Sequence, residues 1–93
     1  MAKNLIILEG DVLHEPPLRA TRNGTSVSNF KLQVPEEDLD ESFSICITVF
    51  GKLAEKVATS IRVGNTVRVQ GRLSRSKTTG EQEIVARDIC PVA

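Results

Sequence analysis

The residues in this sequence best suited to chemistry are its charged side chains, which are grouped by sign. The 93 residues include 12 Lys or Arg and 12 Asp or Glu, so the formal net charge is zero. Residues 36–41 hold five acids and no base, whereas residues 62–77 hold five bases and no acid. A basic cluster can neutralise phosphates along a nucleic-acid strand, but a pair of solvated loops explains the same grouping. The zero net charge argues against a polyanionic partner.

Residues for catalysis are too few to assemble a site. His14 is the single histidine, which leaves no Ser/His/Asp or Cys/His set and too few ligands for a metal. Cys46 and Cys90 each lie in an apolar, strand-like segment, where a free cysteine behaves as a small hydrophobe. No Gly-rich phosphate loop is present. We therefore expect no enzyme activity, no cofactor and no disulfide.

Hydrophobic periodicity predicts five strands and one helix in a single domain spanning residues 1–93. Alternating or continuous apolar residues predict strands over residues 5–13, 26–34, 43–50, 66–73 and 83–90. Leu53, Val57 and Ile61 lie four residues apart, which predicts a helix over residues 51–61. Gly10 is expected to bend or bulge the first strand. The order β-β-β-α-β-β is that of the all-β OB fold, a five-stranded barrel with a helix between its third and fourth strands.

The strand patterns also predict which aromatic residues are buried. Phe30 and Phe43 fall on apolar strand faces and are expected in the core, as is Leu73. Phe50 shares its face with Ser44, Cys46 and Thr48, so we expect it to be exposed.

Five stretches carry a resemblance that extends from about Asn4 to Cys90. Their sequences are FGKLAE at 50–55, NLIILEG at 4–10, PLR with NG at 17–24, VSNFKL at 27–32, and VG leading to VQGRL at 63–73. In order and spacing they resemble the bacterial single-stranded-DNA-binding proteins. The resemblance implies an OB barrel, assembly into homodimers or homotetramers, and non-sequence-specific binding of single strands without catalysis.

The resemblance also implies where a strand binds. Cations on the strand faces and loop ends that line the family's groove, together with one aromatic, give the candidate nucleic-acid-binding set: Arg19, Lys31, Phe50, Lys52, Arg72, Arg75 and Lys77. Stacking is where the sequence departs, because it has no Trp and no Tyr. Ser44 and Thr78 stand where strongly binding relatives carry tryptophan. Since a stacked aromatic contributes ~1–3 kcal/mol per base, we expect weaker binding than in a full-length relative.

Other readings stay open. A thin core favours pairing of subunits, and Leu5–Leu8 is a candidate assembly edge. The missing aromatics and the zero net charge favour a protein–protein interaction module, and primosomal replication protein N is a short dimeric relative that combines interaction with strand binding. The compact cyanobacterial and plastid relatives are another group to which this chain is a candidate to belong, and RNA is not excluded as the ligand. The sequence ends at Ala93 without the family's acidic recruiting tail, which we expect to be absent unless the chain is shortened. Without an apolar run of ~18 residues or a signal peptide, we expect the bacterial cytoplasm or the plastid stroma.

Overall fold

The computed structural model describes residues 3–36 and 41–92, which form six strands and one helix. Residues 37–40 of the acidic loop lie outside the described residues. The elements are β1 (Ile6–Val12), β2 (Arg19–Ala20), β3 (Ser26–Glu36), β4 (Glu41–Phe50), α1 (Gly51–Ser60), β5 (Thr66–Arg75) and β6 (Gln82–Pro91). The predicted order is confirmed, and the two-residue β2 is an addition to it.

The strands close into the barrel of an OB fold because β1 pairs on both sides. The sheet order is β1-β5-β6-β4-β3-β2, with a further pairing of β1 to β3. β4 and β6 run parallel, and the other pairs are antiparallel. β1 follows β5 from Ile6 to Asp11, then turns to β3 at Asp11 and Val12. The barrel therefore closes at Asp11, the residue of β1 that pairs with both β3 and β5.

Gly10 permits this change of partner. A Cβ at Gly10 would collide with the backbone carbonyl oxygen of Gln33 and come within 3.0 Å of its carbon. The register of β1 against β5 is unbroken through Gly10, so the expected bulge is absent there. The glycine is needed because the backbone of β3 approaches too closely for any side chain.

A bulge occurs instead on β6. Gln70 pairs with Asp88 and Gly71 with Ala86, so Arg87 has no partner across the ladder. One extra residue shifts the alternation of the strand. As a result Ala86 and Ile89 both reach the core, although they are three residues apart.

The core lies inside the barrel and under α1. Phe30, Leu32, Ile47 and Val49 are at most 1% exposed, and Val57 of α1 is also buried. The predicted burial of Phe30 is confirmed. The predicted helical stripe is also confirmed, because Val57 and Ile61 are buried in the core and Leu53 is partly buried against it. No helix in residues 3–36 and 41–92 is long and apolar enough to cross a bilayer.

Two core predictions are wrong. Phe43 is 39% exposed and Leu73 is 37% exposed. Phe43 lies near the start of β4, where it pairs with Val34, and Leu73 lies in the outer half of the β5–β6 hairpin. Strand alternation indicates the face a side chain takes, but not whether another layer covers that face.

Candidate nucleic-acid interface

The outer face of four adjacent strands brings together residues that are distant in the sequence. Lys31 of β3 pairs with Cys46 of β4, and Cys46 pairs with Glu83 of β6. Glu83 in turn pairs with Ser74 of β5. The next row along the same strands consists of Asn29, Thr48, Val85 and Arg72. Neighbouring strands lie ~4.8 Å apart, so each row of four residues extends about 14 Å across the sheet.

A groove with two halves runs over these rows. The first half has a volume of about 370 Å³, and its lining includes Arg19 and Lys31. The second half, of about 410 Å³, is lined in part by Phe50, Arg72, Arg75 and Lys77. Both halves share Asn29, Ser76, Thr78 and Glu83, so they are continuous. The groove therefore brings together six of the seven candidate residues. Arg19 comes from β2, Lys77 comes from the β5–β6 loop, and the other four lie on β3, β4 and β5.

Phe50 lies in the second half with much of its ring in solvent. It is 47% exposed, pairs with Val27 and ends β4 immediately before α1 begins at Gly51. Gly51 has a φ of 70°, a left-handed conformation that glycine adopts without strain. This turn ends the strand at Phe50 and leaves one aromatic ring beside the cations of the second half.

The cations of the groove are free of internal ion pairs among the described residues. In residues 3–36 and 41–92 the salt bridges join Arg68 to Glu9 at 2.9 Å and Arg62 to Glu15 at 3.7 Å. The basic cluster of residues 62–77 therefore divides into two paired arginines and three unpaired cations in the second half of the groove. Lys52 is exposed on α1 and does not belong to the groove lining.

The floor of the groove is polar and held in place. Asn29 Nδ2 donates a hydrogen bond to Thr48 Oγ1 at 2.9 Å, and Thr48 is 4% exposed. Burial raises the pKa of the half-buried Cys46 thiol, which keeps it protonated at neutral pH. In the β5–β6 hairpin, Ser76 Oγ accepts bonds from the backbone N–H groups of Thr78 and Thr79, both at 3.3 Å. These bonds fix the hairpin that walls the groove.

Sequence reasoning missed three residues at this site. Glu81 and Glu83 place two carboxylates in the first half of the groove, opposite Lys31. Phe43, expected in the core, lines an adjoining hollow of about 340 Å³ with Lys31 and Glu81. The parallel pairing of β4 with β6 brings Glu83 to the groove, and no local pattern reveals such a pairing. For Phe43, the surrounding Ser42 and Ser44 were a signal of an open strand end.

Metal chemistry has no support in the described part of the chain. Within residues 3–36 and 41–92, no three His, Cys, Asp or Glu side chains come together as metal ligands would. The groove offers cations, hydroxyls, an amide and an aromatic ring instead. Such a set of side chains suits a polyanionic chain that carries flat groups able to form hydrogen bonds.

Comparison with known proteins assigns the family. The sequence matches the Single-strand binding protein family over residues 3–90, nearly the whole chain. The chain belongs to this family. Two relatives named "Single-stranded DNA-binding protein" are each 34% identical: one from Halalkalibacterium halodurans over 75% of this chain and 45% of its own, and one from Thermotoga maritima over 87% and 64%. This family member spans about half the length of the first relatives it matches.

Solved structures agree on the barrel. The wild-type single-stranded DNA binding protein from Thermus aquaticus superposes with a TM-score of 0.85 and 26% identity, covering 98% of this chain and 41% of that one. The SSB domain of a Synechococcus protein also has a TM-score of 0.85, with 24% identity and 97% coverage of both chains. The OB fold expected from the element order is thus the fold of the family.

Proposed function

We propose that this protein binds single-stranded DNA in the groove, through backbone and stacking contacts that read no defined sequence, and that it does so without catalysis. The observation that carries the proposal is the second half of the groove, where half-exposed Phe50 lies among three cations that have no described ion-pair partner. Sequence-tolerant strand binding requires a cationic path for the phosphates and a ring on which bases stack. The groove supplies both on one surface.

The phosphate path is proposed to follow five cations. Arg19 and Lys31 lie in the first half, and Arg72, Arg75 and Lys77 lie in the second. Each contacted phosphate releases counterions, so the logarithm of affinity should fall with the logarithm of salt at a slope of about −0.7 per contact, or up to about −3.5 for five. The phosphate contacts therefore contribute little to the affinity for the strand at high salt.

Stacking is proposed to be limited to two rings. Phe50 is 47% exposed in the second half, and Phe43 is 39% exposed beside the first. Ser44 and Thr78 have no π-face to offer. With ~1–3 kcal/mol per stacked base, two rings give weaker binding than the larger aromatic sets of strongly binding relatives.

Assembly into a homodimer or homotetramer is also proposed. The strand edge of β1 between Ile6 and Gly10 that faces away from β5 has no described partner strand, because β1 meets β3 only from Asp11 onward. On this strand Ile7 is 55% exposed, and Leu5 just before it is 54% exposed. An unpaired edge with apolar side chains pairs readily with another strand, and a second copy of β1 would cover it.

A second candidate function is a protein-interaction module with little affinity for nucleic acid. Glu81 and Glu83 favour it, because both place negative charge in the groove where phosphates would pass. The two candidates differ in one measurement. Fluorescence anisotropy of a labelled thymidine strand of about 35 nucleotides, titrated at about 20 and 200 mM NaCl, should show binding that weakens with salt. Absence of binding at the lower salt, with protein in the tens of micromolar, would favour the interaction module.

A further inference from the structure

Glu83 occupies the centre of the groove, where a protein that bound only a phosphate backbone would not need a carboxylate. It is half-buried on β6 and lines both halves of the groove. Its strand neighbours are Cys46 and Ser74, neither of which carries a charge at neutral pH. No ion pair or side-chain hydrogen bond joins Glu83 to another residue within 3–36 and 41–92. Its oxygens are thus available as acceptors.

The sign of this charge determines which part of a nucleotide faces it. A carboxylate repels phosphates, and the repulsion is stronger in a half-buried groove than in open water. Lys31 lies two strands from Glu83, across Cys46, and Arg72 lies on β5 one row away from Ser74, the β5 partner of Glu83. The phosphates of a strand in the groove would be drawn to these cations on either side, which would leave the edge of a base to face Glu83.

Bases differ in what they present to a carboxylate, which can only accept hydrogen bonds. Guanine has N1–H and N2–H₂ side by side on its Watson–Crick edge, matching the two oxygens of one carboxylate. Cytosine and adenine each present one amino group, and thymine presents one N–H between two carbonyl oxygens. In single strands these edges are open to side chains.

We propose that Glu83 accepts a bidentate hydrogen bond from the Watson–Crick edge of guanine, so that the groove prefers guanine-containing strands over thymine strands. The preference concerns base composition at one subsite and defines no sequence motif. This inference rests on the proposed function, since it requires a strand in the groove.

The test compares three strands of about 35 nucleotides by anisotropy at about 20 mM NaCl. One is all thymine, one has guanine at every fifth position, and one has inosine, which lacks the N2 amino group, at those positions. A bidentate contact should make the guanine strand about fivefold tighter than the thymine strand. Inosine should lose most of this gain.

Two variants separate base reading from charge. Glu83→Gln keeps the size of the side chain but replaces one acceptor oxygen with a donor, so the guanine preference should disappear. Glu81→Gln removes a charge from the same half of the groove on an exposed side chain. It should tighten binding to all three strands by the same factor and leave their ratio unchanged. Circular dichroism confirms that both variants are folded.

The failures are distinguishable. Equal affinity of the wild-type protein for the thymine and guanine strands would overturn the inference and leave the proposed function intact. A guanine preference that persists in Glu83→Gln would overturn the role of Glu83. Lack of binding to every strand at low salt would overturn the proposed function, and the inference with it.

Discussion

Replacing Phe50 with alanine tests the stacking part of the proposed function. Phe50 is the aromatic residue that shares a half of the groove with three cations. A base stacked on an aromatic ring contributes ~1–3 kcal/mol, so Phe50→Ala should weaken binding to a thymidine strand about 5- to 150-fold. The salt dependence should keep its slope, because the cations that contact phosphates are unchanged.

The cost of this substitution to stability is modest. Phe50 is 47% exposed, so about half of an aromatic side chain of roughly 200 Å² is buried. At about 25 cal/mol per Å², and after allowing for the surface that alanine still buries, the loss is ~1–2 kcal/mol. Domains have stabilities of about 5–15 kcal/mol, so the variant should remain folded.

Two further substitutions make the measurement specific. Phe50→Leu retains apolar bulk without a π-face, so it should recover much of the stability and little of the affinity. Val63→Ala truncates an exposed apolar side chain outside the groove lining, 56% exposed, and should leave affinity unchanged. All variants are compared by anisotropy at one low salt concentration, with thermal melts alongside. If Phe50→Leu bound as tightly as the wild-type protein, the stacking argument would be refuted.

Three other perturbations probe the barrel and the groove. Gly71→Ala should lower the free energy of unfolding by about 1–3 kcal/mol, because its Cβ would collide with the backbone oxygen of Val85 and lie 2.8 Å from Ala86 Cα; an unchanged melting temperature would show that β6 can move aside. Arg75→Ala should make the salt slope shallower by about 0.7, whereas Lys52→Ala, outside the groove lining, should not alter it; equal effects of the two would mean that the strand also crosses α1. In Cys90→Ser, where Cys46 is the remaining thiol, maleimide should react slowly at neutral pH because burial raises the pKa of Cys46. A bound strand should slow this reaction further, because Cys46 lines the groove. In Cys46→Ser the exposed Cys90, which lies outside the groove lining, should react equally fast with and without the strand, and protection of both thiols would point to a wider footprint.

The barrel was predictable because its signals are local. Period-two alternation identifies the faces of β3, where Phe30 and Leu32 are buried and Lys31 is turned outward. Leucine and valine at four-residue spacing identify α1, and its position between strands identifies the OB fold. These patterns depend on neighbours within a few residues, so they can be recognised without knowledge of the tertiary structure.

The errors arise where a property depends on distant parts of the chain. Phe43 has the alternation of a core residue, but it lies near the start of β4, where the elements described in residues 3–36 and 41–92 leave it 39% exposed. The sequence contains no sign of the bulge at Arg87, which depends on the fit of β6 to β5. Exposure and register are set by packing between elements, and single-sequence patterns carry little information about either.

The candidate site shows the same division. The cations Arg72, Arg75 and Lys77 lie within six residues of sequence and fall in one half of the groove, as their clustering suggested. Glu83 lies in the same row as Lys31, on the other side of Cys46, only because β6 pairs with β4 in parallel. A charge count that treats residues 62–77 as an isolated basic cluster misses Glu83, which the fold places in the same half of the groove as Arg72, Arg75 and Lys77.

Mapping of a bound strand by NMR tests the central claim most directly. Amide chemical shifts of the ¹⁵N-labelled protein are followed while a short thymidine strand is added at low salt. Binding in the groove predicts that the largest shifts cluster at Lys31, Thr48, Phe50 and the hairpin from Arg72 to Thr79, with little change along the outer edge of β1. Shifts concentrated on β1 or on the exposed face of α1, or no shifts at all, would contradict the account.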